Sequence, residues 1–590
     1  MEAPNLTVGG GAAIGSADHH HPRPHPQTTH LTHTAAAPPA PTSVVLAPHR
    51  SHSRHAAEPM TWTLKLAAST AAIGGFLFGY DIGVISGALL QLVEEFELSD
   101  TEAEAVVSAL LVGAVLASAT GGYICDWIGR RNTIIANAAL FILSACWLAM
   151  STNLAMLLAA RVVVGYAVSL SAIAECVYIS EIAPPTRRGQ LVSLNELGIT
   201  VGVVVAYAVN FALIDTAGGW RVMFGVAAIP ASIQALGMAQ LPKSPRWLLM
   251  VHRRAEAMMA LKKFRFASHE LLTIPLVAMD GDGVGGEGKE EGDGAESAVG
   301  AELAATEQAI AEQGETRLTD LLRVPVLRKA LWICSAIVLL QQLTGQPSIL
   351  VYGTVLLRQA GFKTRREASL ANLAIGVMKA SSTVVAMLTV DKHGRRRLLL
   401  IGTAVMVMAL LVLASVLTAY TPDIVDDNNA TAVPMESAGA SEDEATMPEH
   451  IKWTTLGSLT AYVCAFSFSY GPIGWLLLSE TFPDSIRARA MAVATLLNYG
   501  VNFAVTASFL TLLSAIGFGG LCFIFASIGV VGACFIYTRV PETKGASLEQ
   551  IQAILLAAEP PCACCPGASA TGASSYRRLD VGDYAIGEEV

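Results

Sequence analysis

The sequence predicts an all-α membrane protein in which twelve transmembrane helices form two similar six-helix halves. Three observations predict it. The composition is too apolar for a soluble chain, twelve apolar runs are split six and six by a polar stretch, and one set of charged motifs recurs in each half.

Of the 590 residues, 53% are hydrophobic and only 15% are charged, with a mean hydropathy of +0.50. A soluble domain carries about 25% charged residues, so this chain cannot cover a soluble surface of its size. The net charge of −10 belongs to loops: residues 280–315 hold 11 acids and residues 421–452 hold 8. It implies no particular partner, and no basic patch with interleaved aromatics points to nucleic acid.

Apolar runs of about 18 residues or more can cross a bilayer as helices. They fall at 61–90, 104–125, 133–151, 155–180, 190–213, 220–241, 328–357, 368–390, 398–420, 453–478, 490–514 and 518–538. This divides the chain into an arm (1–58), a first bundle (60–241), a polar loop (242–327), a second bundle (328–540, with a long loop at 421–452) and a tail (541–590). The arm is rich in His, Pro, Ala and Thr and holds nine of the 13 histidines. That composition reads as low-complexity chain rather than a metal site. The loop 242–327 is expected to carry amphipathic helices at 245–266 and 317–323 around a disordered Gly/Glu-rich centre.

Charge sets the orientation. Arg130 and Arg131, Arg187 and Arg188, Arg395 to Arg397, and Arg487 and Arg489 follow spans 2, 4, 8 and 10, all on one side. The loop after span 1 is acidic, with Glu94, Glu95, Glu97, Asp100 and Glu102. The positive-inside rule then makes both termini cytoplasmic, with the plasma membrane the expected destination. The 421–452 loop lies outside, where the sequon at Asn429 would receive a glycan. Seven of the ten cysteines sit in or beside apolar runs as small buried thiols. Cys562, Cys564 and Cys565 are palmitoylation candidates, and Tyr576-Arg577-Arg578-Leu579 has the form of a sorting signal.

The halves repeat. Asp126-Trp127-Ile128-Gly129-Arg130-Arg131 follows span 2, and Asp391-Lys392-His393-Gly394-Arg395-Arg396 follows span 8. Glu181 and Arg188 are seven apart after span 4, as are Glu480 and Arg487 after span 10. Two units in the same orientation fit parallel repeats about an axis along the membrane normal.

With these motifs the chain resembles the sugar porter branch of the major facilitator superfamily. Further matches are Pro242-Lys243-Ser244-Pro245-Arg246, Gln341-Gln342-Leu343-Thr344-Gly345 and Pro541-Glu542-Thr543-Lys544-Gly545. The long loop before span 10 and Gly345-Gln346-Pro347 are similar to facilitated glucose transporters of the member 10 and 12 class. The resemblance implies the major facilitator fold and alternating-access transport of hexoses. The sequence departs from the family at Lys243, where Glu is usual, and at Ser348, Cys176 and Ser467.

A sugar is a ring of hydroxyls with partly apolar faces, so its binding calls for neutral amides and an aromatic plane. Buried polar groups in lipid need partners, so amides inside spans mark a lined cavity. Gln341 and Gln342 open the outer half of span 7, each offering one acceptor and two donors. Asn498 and Asn502 are four apart on one face of span 11. Trp475 follows Gly471-Pro472-Ile473-Gly474, which weakens a helix. The resemblance implies that Gln341, Gln342 and Asn498 bind sugar and that Trp475 gates. Helix packing is the alternative for Asn502.

Ionisable residues deep in the spans are Asp81, Arg161, Glu175, Glu196 and Lys379, and such residues are functional candidates by default. Glu196 and Lys379 stand where relatives carry a sugar-binding Gln and Asn. Lys379 either meets sugar or pairs with a carboxylate, and Glu175 is expected to face a water-filled vestibule. Asp81 with Arg161 suggests proton coupling, with protons as a second partner. A permanent ion pair is the alternative. At the cytoplasmic face, Arg130, Arg131, Arg188, Arg395, Arg396 and Arg487 are expected to bridge to Glu181, Glu480 and Glu542 as a latch between halves.

The expectation is a facilitative hexose carrier, with a proton symporter as alternative. A sugar receptor, or a carrier of a related solute such as dehydroascorbate, ranks lower. The spans show no nucleophile–base pair or metal cluster, no Gly-x4-Gly-Lys-Ser/Thr loop appears, and neither enzyme activity nor a cofactor is expected.

Overall fold

The computed structural model describes residues 61–184, 188–266, 290–312, 319–420, 448–482, 484–544, 550–551 and 554–555. The histidine-rich arm, Asn429, the cysteine cluster at 562–565 and the Tyr576 motif lie outside the described residues. So does the side chain of Arg188. All regular structure among the described residues is helical.

Twelve helices are long and apolar enough to cross a membrane, and they match the twelve runs. In the first half α1 is Trp62–Phe96, α2 Asp100–Ile128, α3 Arg130–Ala149, α4 Leu154–Ile182, α5 Arg188–Leu213 and α6 Gly219–Gln240. In the second half α7 is Pro325–Val351, α8 Arg365–His393, α9 Arg395–Tyr420, α10 Glu449–Leu478, α11 Asp484–Ala507 and α12 Phe509–Arg539. One boundary differs from the expectation. The run 490–514 is not a single helix: α11 ends at Ala507, and α12 starts at Phe509 and bends at Gly517 (φ 72°). Hydropathy stays high through this turn, so apolarity alone cannot mark it.

Helix breaks follow proline chemistry. α7 splits into Pro325–Leu343 and Gln346–Val351. α10 splits into Glu449–Phe468 and Tyr470–Thr481. A proline ring clashes with the carbonyl four residues before it. Pro347 thereby ends the helix at Leu343, and Pro472 ends it at Phe468. Each proline then sits in the first turn of the next piece, where an N–H has no helical acceptor to lose.

Water does not drive helices together in a bilayer, so close backbone approach does. α1 and α5 approach through glycines: a Cβ at Gly79 would lie 1.8 Å from the Ile199 carbonyl oxygen. Across the seam, α5 packs on α8 and α2 on α11. At the turns after α2 and α8, Gly129 and Gly394 both hold φ 87°. This left-handed geometry suits glycine, and its repetition shows the two halves folding alike at the repeated motif.

The loop between halves departs from the expectation of a disordered centre. Glu290–Glu312 is helical. Its second half, Ala301 onwards, is rich in helix formers. Val299 and Leu303 join Leu248 and Leu261 in a small core, and Arg265 pairs with Glu302 at 2.7 Å. The flanking expectation holds, with helices Pro245–Met250, Arg254–Arg265 and Asp320–Arg323.

At the face opposite the arginine motifs, the halves are joined. Ser86 of α1, Thr354 of the short helix Gly353–Gln359 and Asn372 of α8 form a buried hydrogen-bonded trio, with Ser86–Thr354 at 2.7 Å and Asn372 donating to Ser86 at 2.8 Å. Tyr207 donates to the Leu350 carbonyl at 3.0 Å. Glu94 pairs with Arg365. Glu104 of α2, 4% exposed, accepts from the Thr511 N–H at 2.7 Å and its hydroxyl at 2.8 Å. Thr511 lies in the first turn of α12, and Ser508 supplies no side-chain cap of its own. A carboxylate of the first half thus caps the last helix of the second.

Gly79→Ala should lower thermal stability in detergent by about 2–4 kcal/mol, as overpacking against backbone does. Gly122→Ala, where nothing lies within 4 Å of the new Cβ, should change it by less than about 0.5 kcal/mol. Equal losses in the two variants would refute the close-packing argument.

Candidate functional site

The break in α7 positions the amide cluster. Gln341 and Gln342 form the last turn of its first piece, just past the middle of the span. Both are buried. Beyond them Gly345 turns left-handed at φ 80°, and Tyr462 of α10 donates to the Thr344 carbonyl at 2.8 Å. Gln342 Nε2 donates to Asn498 Oδ1 on α11. Oε1 of Gln341 and Oε1 of Gln342 have no protein partner among the described residues. Unpaired buried acceptors are costly, and these two belong to consecutive residues at the break in α7.

The second piece of α10 borders the same space. A Cβ at Gly474 would lie 3.5 Å from Gln341 Oε1. Trp475 follows directly, partly buried against the core. One turn back, the Cβ position of Gly471 lies 4.0 Å from Oε1 of Glu196, which reaches across from α5. Lys379 of α8 is buried and within electrostatic reach of Glu196. The structure thereby brings Gln341, Gln342, Asn498, Trp475, Glu196 and Lys379 to one seam between halves. Asn502 behaves differently: it accepts from Thr506 at 3.0 Å, and Thr506 meets Ser348 of α7 at 3.1 Å. It stands one turn from the Asn498 contact and is tied to its own helix.

Three other deep charges are placed inside the first half. Arg161 Nη1 donates to Asp81 Oδ1 at 3.0 Å and Nε to the Val106 carbonyl at 3.3 Å. Arg161 is only 2% exposed. Asp81 Oδ2 has no partner, and the residue lines a cavity of about 10 Å³ with Tyr80, Ser144 and Phe224. That volume is close to what one water needs. Glu175 does not face a vestibule: it is fully buried, accepts from Gln234 at 2.7 Å and from Ser171, and fills the hollow at Gly74. A glycine on α1 makes the room, which composition cannot reveal.

The contacts of Arg130, Arg131 and Arg396, and the Arg395–Glu480 pair, lie within one half rather than between halves. Arg130 pairs with Glu181 at 3.0 Å, and Ser244 donates to Glu181 at 2.5 Å. In the repeat, Arg395 pairs with Glu480 at 2.7 Å, and Thr543 donates to Glu480 at 2.8 Å. Arg131 donates to the carbonyls of Met238 and Ala239 at the end of α6. Arg396 does the same to Tyr537 near the end of α12, at 2.5 Å. A cation at a helix C-terminus meets the negative end of its dipole. Arg487 donates to the Phe482 carbonyl at 3.2 Å. Glu542 accepts from the Arg395 and Arg396 backbone N–H groups at 2.9 and 3.2 Å, capping α9.

Sequence reasoning missed Glu104, Ser244, Thr543 and the Ser86 trio. Ser244 and Thr543 carried a usable signal, since each stands two residues after the proline of a repeated motif. Among the described residues no group of three or more His, Cys, Asp or Glu forms a metal site.

The chain is similar to known proteins. A family model described as "Sugar (and other) transporter" matches residues 67–555. Human solute carrier family 2, facilitated glucose transporter member 12, is 35% identical over 548 residues, covering 82% of this chain and 84% of that protein. Human member 10 is 34% identical over 545 residues, covering 83% and 93%. Among solved structures, the partially occluded inward-open xylose transporter XylE from E. coli aligns at a TM-score of 0.64 with 26% identity, covering 82% of this chain and 99% of that one. The proton:xylose symporter XylE bound to 6-bromo-6-deoxy-D-glucose aligns at 0.63 with 25% identity, covering 83% and 99%.

Removing one partner of a buried ion pair strands the other. Glu181→Ala should therefore cost about 3–5 kcal/mol of stability, read by thermal unfolding in detergent. Glu480→Ala should cost less, because the Glu480 side chain is 24% exposed against 7% for Glu181. The reverse order would sink the burial argument.

Proposed function

This chain belongs to the sugar transporter family, and from that premise we propose that it carries a hexose across the membrane by alternating access as a facilitative carrier. It is a multi-pass membrane transporter of the major facilitator fold and not an enzyme. One observation carries the hexose reading: the unpartnered Oε1 atoms of Gln341 and Gln342, beside Trp475 and Asn498, at the seam of the halves. Sugar hydroxyls would donate to these oxygens while the Gln342–Asn498 contact opens to accept others. The indole of Trp475 would lie against an apolar ring face.

The seam also fits the transport cycle. The arginine-motif face is cytoplasmic by the positive-inside rule, which places both termini in the cytoplasm and the contacts of Glu104, Ser86 and Glu94 outside. With those contacts made, the outer side of the seam is closed. The arginine pairs stiffen each half so that it moves as a body. Each cross-half contact contributes modestly, which suits states within a few kcal/mol of one another. The breaks in α7 and α10 let their second pieces shift on their own.

A second reading, proton-coupled symport, is favoured by Asp81. Its Oδ2 is unpartnered and the residue lines a cavity of about one water, so a proton would have a place to arrive. A protonated Asp81 would release its hold on Arg161 and change the α1–α4 contact. XylE, a structural relative, is described as a proton:xylose symporter.

Uptake of labelled D-glucose into proteoliposomes, with and without an inward proton gradient, separates the two. A facilitative carrier equilibrates glucose equally in both. A symporter accumulates it only with the gradient, and Asp81→Asn should then abolish accumulation and leave exchange. Gln342→Ala and Asn498→Ala should each raise KM roughly fivefold to hundredfold, the equivalent of about 1–3 kcal/mol for a lost buried hydrogen bond. An unchanged KM in both variants would remove the amide cluster from the sugar site.

A further inference from the structure

Two charges remain in the seam once the pairs within each half are assigned. Glu196 comes from α5 of the first half and Lys379 from α8 of the second. These helices cross tightly: a Cβ at Gly376 would lie 2.7 Å from the Tyr207 ring. Lys379 stands one turn further along α8 on the same side. Glu196 reaches the Gly471–Gly474 face of α10, the face that Gln341 also meets. Each charge is in electrostatic reach of the other, and among the described residues no ion pair within 4.0 Å joins them. They stand on helices packed together across the seam, without direct contact with each other, and Glu196 lies at the edge of the amide cluster.

A lone charge at this depth is expensive, and one of each sign is not. The other deep ions are committed elsewhere: Asp81 to Arg161, and Glu175 to Ser171 and Gln234. We propose that Glu196 and Lys379 form a charge-compensated pair, one member from each half, that restricts the cargo to sugars of no net charge. An anionic sugar would bind Lys379 and leave Glu196 uncompensated. A cationic sugar would do the converse. A neutral polyol bridges the two, accepting from the ammonium and donating to the carboxylate, and leaves the balance intact. Lys379 by itself would favour an anionic cargo, and Glu196 cancels that preference.

This inference rests on the reading of the chain as a hexose carrier, and the experiment separates the two. Labelled D-glucose uptake in proteoliposomes is competed with unlabelled D-glucose, D-glucuronate and D-glucosamine. In the unmodified protein both charged sugars should compete at least roughly tenfold more weakly than glucose, about 1.4 kcal/mol. Glu196→Gln should improve glucuronate relative to glucose by about tenfold and leave glucosamine weak. Lys379→Asn should do the opposite. The double variant Glu196→Gln/Lys379→Asn should again disfavour both charged sugars. If neither single variant moves these ratios by more than about twofold, the pair is not the filter. A variant that fails to transport is read by thermal shift in detergent with the same three sugars, where the same ratios support or overturn the pair. If the unmodified protein moves no glucose, the functional reading fails, and the thermal shifts with the two charged sugars still decide on the pair.

Discussion

A polar group packed among apolar helices has no water to turn to, and most of this structure answers that constraint. The backbone meets it with helices, and where a helix must stop, a proline makes the stop cheap. Pro347 and Pro472 end the first pieces of α7 and α10 at Leu343 and Phe468. Both breaks lie in the second half, and the amide cluster lies between them. Side chains meet the same constraint by partnering: Arg161 with Asp81, Glu175 with Gln234, Arg130 with Glu181. Some buried atoms stay unpartnered, among them amide oxygens of Asn195, Asn210 and Gln234. The free carbonyls of Gln341 and Gln342 and the free Oδ2 of Asp81 are the atoms on which the functional reading turns.

The two halves show how a duplicated unit diverges under that constraint. Each uses its first motif arginine to bind a glutamate and its second to cap the last helix of the half. Each ties that glutamate to a hydroxyl, Ser244 in one and Thr543 in the other. They part at one position. Glu542 caps α9 in the second half, while Lys243 stands at the corresponding place in the first, over the Trp247 ring at 5.8 Å. The first half keeps its clasp through Trp247, whose Nε1 donates to the Asp126 carbonyl at 2.9 Å.

Much of the fold was legible because it rests on local chemistry. Twelve apolar runs gave twelve helices, and the glycine before each arginine pair marked a turn that recurs with the same backbone geometry. The cluster of Gln341, Gln342, Asn498 and Trp475 was legible from residue type, helped by family resemblance. What was not legible depends on contacts far apart in sequence. Glu104 meets Thr511 across 407 positions. Arg131 and Arg396 turn to helix ends rather than to glutamates, a choice set by where α6 and α12 finish. Glu175 is enclosed because α1 offers a glycine there. Helix Glu290–Glu312 was obscured by the glycine-rich stretch that leads into it, although Val299 and Leu303 already carried helical spacing.

The carboxylate that Glu104 lends to α12 has a consequence for the energetics of the cycle. The final helix finishes its amino end with an atom borrowed from the opposite bundle, so parting the bundles on that side undoes a piece of secondary structure as well as an interface. The Thr511 amide must then take water or Ser508 as its acceptor, while the Glu104 carboxylate regains water, so loss and gain partly offset one another. Separation of the bundles at this face therefore loosens the first turn of α12 as it proceeds.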